Sequence, residues 1–119
     1  MARTRQRGGR RLDVVKRGEV WLAVLDPTLG SEIQKTRPCL IVSPDEMNAH
    51  LRTTTIVPLT SGGRPAPFRV PVTFKGKPGL LLPDQIRTLD RVRLVKRLGR
   101  VDAETLRMTL TVLREMFGE

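Results

Sequence analysis

Apolar residues fall along this chain in short continuous runs separated by Gly, Pro and charged positions, and only the last segment departs from that rhythm. The run "GEVWLAVLD", from Gly18, is rich in Val and Trp and ends at Asp26-Pro27, so it predicts a core strand. "CLIVS" and "TTIVPLT" read as strands on the same grounds, and "FRVPVTF" as a strand in which Pro71 marks an edge or a bulge. "GLLLPDQIRTLD" supplies one or two more, and "RLGRV" another. Pro44 to His50 predicts a short helical turn capped by Ser43, with Pro44 at its first helical position. In the last segment Leu106, Leu110, Leu113 and Phe117 recur at helical spacing, Met108, Val112 and Met116 widen the stripe, and Asp102 is placed to cap it. Several short strands closed by one C-terminal helix predict a mainly β fold, a small, strongly bent sheet or SH3-like barrel.

The 119 residues suit one domain with a genuine core. Five arginines in the first eleven positions, with no large apolar residue between Met1 and Leu12, predict a disordered basic arm over 1–16 and a domain over 17–119. Lys and Arg number 22 against 12 Asp and Glu, a net charge of +10 that calls for a polyanionic partner without choosing among nucleic acid, membrane and acidic protein. No apolar run approaches the roughly 20 residues that span a bilayer. The start "MARTRQRGGRR" has no signal-like apolar core, so a cytoplasmic protein with no membrane partner is expected. The single Cys39, inside "CLIV", reads as a small core residue.

The candidate chemistry emerges by elimination. With His50 as the only histidine, a ribonuclease using two imidazoles is excluded within one chain. There is no D-x-D, H-E-x-x-H or cysteine cluster for a metal, no phosphate-binding Walker loop and no G-x-S-x-G elbow. Arginine, hydroxyls and at most one carboxylate remain, and no cofactor is expected. That inventory suits attack of an RNA 2′-hydroxyl on its own adjacent phosphodiester, because the substrate supplies the nucleophile and the protein need only align groups and stabilise charge. In "GSEIQKTRPCLIVSP" a polar loop runs into a strand with Pro38 as the hinge, which fixes Arg37 at the strand's lip. Thr60 leaves the strand of "IVPLTSGG" for a glycine-rich turn, where its hydroxyl could donate to the same phosphate or serve only the turn.

Together, "GEVWLAVLDPTLGSEIQKTRPCLIVSP", "VPLTSGG" and "DQIRTLD" resemble the MazF/PemK family of toxin endoribonucleases, over Lys16 to about Gly118. The resemblance implies an SH3-like barrel with a C-terminal helix, a homodimer, and metal-independent cleavage of single-stranded RNA at short sequences to 2′,3′-cyclic phosphate and 5′-hydroxyl ends. It also implies an antitoxin whose acidic segment occupies the RNA groove, and it carries the working arginine and threonine over as Arg37 and Thr60. The PemK-like branch has a further arginine two positions before the Asp of "DQ" and a histidine in the first loop; this chain has Leu82 and Ser31 there, which points to the MazF-like branch and leaves Asp84 between catalysis and holding a turn.

Because arginine is protonated at ordinary pH, a general-base role would need an extreme pKa shift, so Arg37 is assigned charge stabilisation, with proton donation toward the leaving oxygen as a second role. Glu32 is the carboxylate placed to accept the 2′-proton or to orient its loop. Gln85 offers an amide to read a base edge or to cap a strand. Gly30, Ser31, Lys35, Ser61 and Arg87 complete the expected RNA-contacting set. The scattered cations from Arg87 to Arg100 face solvent or track phosphates, and Trp21 reads as core. Two other classes stay open: a non-catalytic toxin that poisons a protein target, as the related CcdB toxins do, and a plain RNA-binding barrel.

Overall fold

The computed structural model describes residues 15–25 and 35–119. The arm through residue 14, and with it Gly30, Ser31 and Glu32, lies outside the described residues. The elements are β1 (Glu19–Val24), β2 (Thr36–Ile41), α1 (Asp45–His50), β3 (Thr53–Thr60), β4 (Val70–Phe74), β5 (Lys77–Leu81), β6 (Arg87–Asp90), β7 (Leu94–Arg100) and α2 (Ala103–Phe117). The strands form one antiparallel sheet in the order β4-β5-β3-β2-β1-β7. β3 is the branch point: its first half, Thr53–Ile56, pairs with β6, and its end, Leu59–Thr60, pairs with β5. The sheet thus bends into a half-barrel with α2 packed on one side, the mainly β architecture the sequence predicts.

Side chains alternate across a strand, and in β1, the second half of β2 and most of β3 both faces are buried. Trp21, Ala23, Cys39, Ile41, Ile56, Leu89 and Leu94 make one core. Val20, Leu40, Val42, Val57 and Leu59 make the other, with Val70 and Leu81 from the hairpin, Val101, and Leu113 from α2. Burial on both faces is why these strands read as continuous apolar runs rather than alternating ones. The buried Glu19 carboxylate accepts from Trp21 Nε1 (3.0 Å), the Lys16 amide (3.0 Å) and Arg97 Nε (2.9 Å), which ties β1 to β7.

Several boundaries differ from expectation. Val15 is buried in the first core, so the last two residues assigned to the arm belong to the fold. β2 begins at Thr36, which makes Arg37 and Pro38 strand residues rather than loop and hinge. Pro38 pairs with Leu22 of β1, while the ladder to β3 starts only at Cys39, so a residue without an N–H is accommodated where that ladder is absent. β4 begins at Val70, leaving Phe68 and Arg69 in the preceding turn, and it is an edge strand as Pro71 predicts.

Pro44, not Ser43, is the N-cap of α1, and no side chain caps it. The Ser43 hydroxyl is committed elsewhere: it donates to Asn48 Oδ1 (2.6 Å) and accepts from the Thr55 amide (3.0 Å). Asp102 caps α2 as expected, accepting from the Thr105 amide at 2.8 Å. The apolar stripe of α2 is buried only in part, since Leu106, Leu110, Val112 and Leu113 pack on the sheet whereas Met108, Met116 and Phe117 stay exposed.

Candidate active site

The site begins with the register of β2 on β3. Cys39 pairs with Pro58, and two residues further along Arg37 and Thr60 come opposite each other. Arg37 Nη1 donates to Thr60 Oγ1 at 3.3 Å, and the Gly62 amide donates to the same oxygen at 3.3 Å. A hydroxyl has two acceptor positions and one proton. With both acceptor positions used, the Thr60 proton is left for an acceptor such as a phosphate oxygen. Thr60 is also held by close backbone approach: a Cβ at Gly79 of β5 would stand 2.7 Å from the Thr60 carbonyl oxygen, so only glycine fits there without a shift.

Around this pair the structure places Ser61, exposed at the start of the following turn, and Lys35, exposed just before β2, whose carbonyl accepts from the Leu25 amide at 3.1 Å. Arg87 opens β6 opposite Ile56. Arg37 and Arg87 both act on the Cys39 thiol in the direction of ionisation, yet burial outweighs them and pushes the thiol up to about 12. Cys39 is therefore a neutral core group, as its surroundings in sequence predict. Gln85 is exposed at the end of a 3-10 turn, Pro83–Gln85, which hangs from β3 through the Leu82 amide and the Pro58 carbonyl (2.9 Å). Leu82 itself is buried, so the position that bears an arginine in the PemK-like pattern is a packing position here.

Asp84 is engaged. Arg69 Nε and Nη2 meet its two carboxylate oxygens at 3.2 and 2.9 Å, and Arg69 Nη1 donates to the Arg64 carbonyl at 3.1 Å. The Arg69 hydrogen bonds hold the Asp84 carboxyl below the usual carboxylate range. Sequence reasoning passed over Arg69. An isolated arginine fifteen residues before its partner leaves no pattern, and only the return of β5 along β3 brings the two together. Among the described residues no three His, Cys, Asp or Glu side chains group as a metal site, and no helix is long and apolar enough to cross a membrane.

Arg37 and Thr60 converge at one strand end of a strongly basic half-barrel, an arrangement whose hydrogen-bonding chemistry suits a phosphate group. A sequence model of the family described as "PemK-like, MazF-like toxin of type II toxin-antitoxin system" matches residues 16–117, and the chain belongs to that family. It is 43% identical over 115 residues to the endoribonuclease PemK of Escherichia coli, covering 92% of this chain and 81% of the relative. To the endoribonuclease MazF9 of Mycobacterium tuberculosis it is 36% identical over 104 residues, covering 78% and 87%. Among solved structures, a MazE-MazF structure from Deinococcus radiodurans superposes with a TM-score of 0.79 at 29% identity, over 88% of this chain and 96% of the other.

Proposed function

We propose that this chain is a metal-independent endoribonuclease that cuts single-stranded RNA, mRNA in particular, at short sequences. The ribose 2′-oxygen attacks the adjacent phosphorus and the bond to the 5′-oxygen breaks, leaving a 2′,3′-cyclic phosphate and a 5′-hydroxyl. One proton leaves the 2′-hydroxyl and one arrives at the 5′-oxygen, so the protein's task is alignment, proton transfer and charge stabilisation.

The observation that carries this reading is the Arg37–Thr60 hydrogen bond, which sets a planar cation and a hydroxyl proton side by side. Arg37 stabilises the charge that gathers on the phosphate oxygens and supplies the leaving oxygen's proton, and Thr60 donates to the same phosphate. Glu32 accepts the 2′-proton, a role that Asp84, bound through both oxygens, does not fill. Gly30, Ser31, Lys35, Ser61, Gln85 and Arg87 contact the RNA. The names of the curated relatives, endoribonucleases PemK and MazF9, support the activity.

The active unit is a homodimer in the cytoplasm, because one small half-barrel offers little concave surface for several nucleotides. An acidic antitoxin masks the groove, a pairing supported by a related mycobacterial endoribonuclease solved in complex with its cognate antitoxin. The arm ahead of the barrel adds sequence-blind attraction to phosphates. Incubation with a long single-stranded RNA in EDTA tests the class: discrete fragments with 5′-hydroxyl ends are expected, and RNA left intact by the dimer would exclude the activity.

A further inference from the structure

Arg37 and Thr60 also line a cavity of about 420 Å³ between the start of β2 and the β4–β5 hairpin, within the size range of small-molecule sites. Phe74 and Leu98 give it apolar walls, and Lys75 and Lys77, both exposed, stand at its hairpin side. The chain has few aromatic residues, three Phe and one Trp. Trp21 is buried in the core, Phe68 lies under the Arg69 guanidinium, and Phe117 is exposed at the end of α2. Phe74 is the aromatic that shares a cavity with Arg37 and Thr60. Its ring is seated: a Cβ at Gly99 of β7 would come within 3.3 Å of Phe74 Cζ, so the ring rests against the neighbouring backbone.

The hairpin turn adds an independent sign. Lys75 has φ +52° and Gly76 φ +80°, a left-handed pair of the kind that favours Asn, Asp or Gly at the first position. A lysine there is strained, and the turn's geometry alone gives no reason for it; strain of this kind gathers where a side chain has work to do. Among the described residues neither Lys75 nor Lys77 is in an ion pair with a carboxylate.

We propose that this cavity is a nucleotide subsite, in which the base next to the scissile phosphate stacks on Phe74 while Lys75 and Lys77 hold the phosphate that follows. The proposal rests on the ribonuclease reading for its place in the reaction. Its chemistry is that of single-strand binding proteins, an aromatic platform beside cations, which tolerates many sequences because every base has a π-face. The subsite would thus contribute affinity and alignment more than base choice.

The test is an NMR titration of the full chain with AMP, GMP, CMP and UMP, set against ribose 5-phosphate and inorganic phosphate. At least one nucleotide is expected to move the Phe74 ring resonances and the Lys75–Lys77 amides, while the two controls leave the ring unmoved. Phe74→Leu, which keeps an apolar side chain against the core, should weaken that nucleotide on the order of tenfold. Lys75→Gly, which removes the charge and relieves the turn, should weaken it severalfold. A Phe74 ring that ignores every nucleotide, or shifts caused equally by phosphate alone, would overturn the subsite. The titration does not read cleavage. A chain that binds nucleotides here yet leaves RNA intact would lose the ribonuclease reading and keep the site, and a chain that cuts RNA with an indifferent Phe74 would do the reverse.

Discussion

Arg69 grips Asp84 through both carboxylate oxygens, at 3.2 and 2.9 Å, and so ties the turn that precedes β4 to the 3-10 turn that carries Gln85. Asp84, which the sequence leaves between catalysis and holding a turn, is by this geometry a clamp. Asp84→Asn and Arg69→Gln should then lower cleavage by similar factors, on the order of tenfold, with the double variant no worse than either, since contacting partners are not additive. If Asp84→Asn abolishes cleavage and Arg69→Gln does not, Asp84 takes part in the chemistry.

The same pair has a pH signature. Arg69 lowers the Asp84 pKa in the fold, so the associated stability is present above the ordinary carboxylate range and is lost as pH falls through the depressed folded value. Because the pair is partly exposed to solvent, screening keeps that contribution small. Urea unfolding from neutral to acid pH should show a shallower acid limb in Asp84→Asn than in the parent chain; identical limbs would mean that the pair is not linked to folding.

Replacing Arg37 by Ala should reduce cleavage at least about a hundredfold, the scale of losing one transition-state donor, and Arg37→Lys should restore little because an ammonium lacks the planar fork. Thr60→Ser should keep part of the activity that Thr60→Ala loses. Gly79→Ala should impair cleavage by displacing Thr60, because its methyl group would press on the Thr60 backbone. Single-turnover rates on one labelled RNA check the set, and near-parental rates for Arg37→Ala would remove the guanidinium from the mechanism.

The strands, the C-terminal helix and the Arg37–Thr60 pair were legible from the chain, the strands because runs such as "CLIV" are apolar on both faces and the pair because strand-end arginines and hydroxyls stand out next to Pro38 and "SGG". What lay hidden depends on the return path of the sheet. The Arg69–Asp84 clamp, the close approach of Gly79 to Thr60 and the cavity beneath Phe74 all need β5 folded back along β3 and β7 beside β1. Ser43 misled as a helix cap because its hydroxyl meets a stronger local demand from Asn48 and the Thr55 amide, both distant in pattern but adjacent in space.

Cys39 should be inert in the fold. Burial pushes its thiol to about 12, so at pH near 8 it carries almost no thiolate and no access. Alkylation by iodoacetamide should be slow in the native chain and fast in denaturant. Rapid native labelling would place the thiol outside the core.

Deleting residues 1–14 should weaken RNA binding at low salt, leave the cleaved sequence unchanged, and matter less as salt rises and screening suppresses the arm's share. Cleavage-site mapping of both forms at two salt concentrations checks this. A changed recognition sequence would mean that the arm reads bases.

The proposed reaction has the substrate's own 2′-hydroxyl as its nucleophile, aligned by Arg37 and Thr60 without a metal. It is tested most directly with an RNA oligonucleotide carrying a single 2′-deoxy nucleotide on the 5′ side of the mapped cut, compared in EDTA with its all-ribose twin. The all-ribose strand should be cut to a 2′,3′-cyclic phosphate and a 5′-hydroxyl, while the deoxy strand should bind and stay whole. Cleavage of the deoxy strand at that position, or products ending in a 5′-phosphate, would contradict the account.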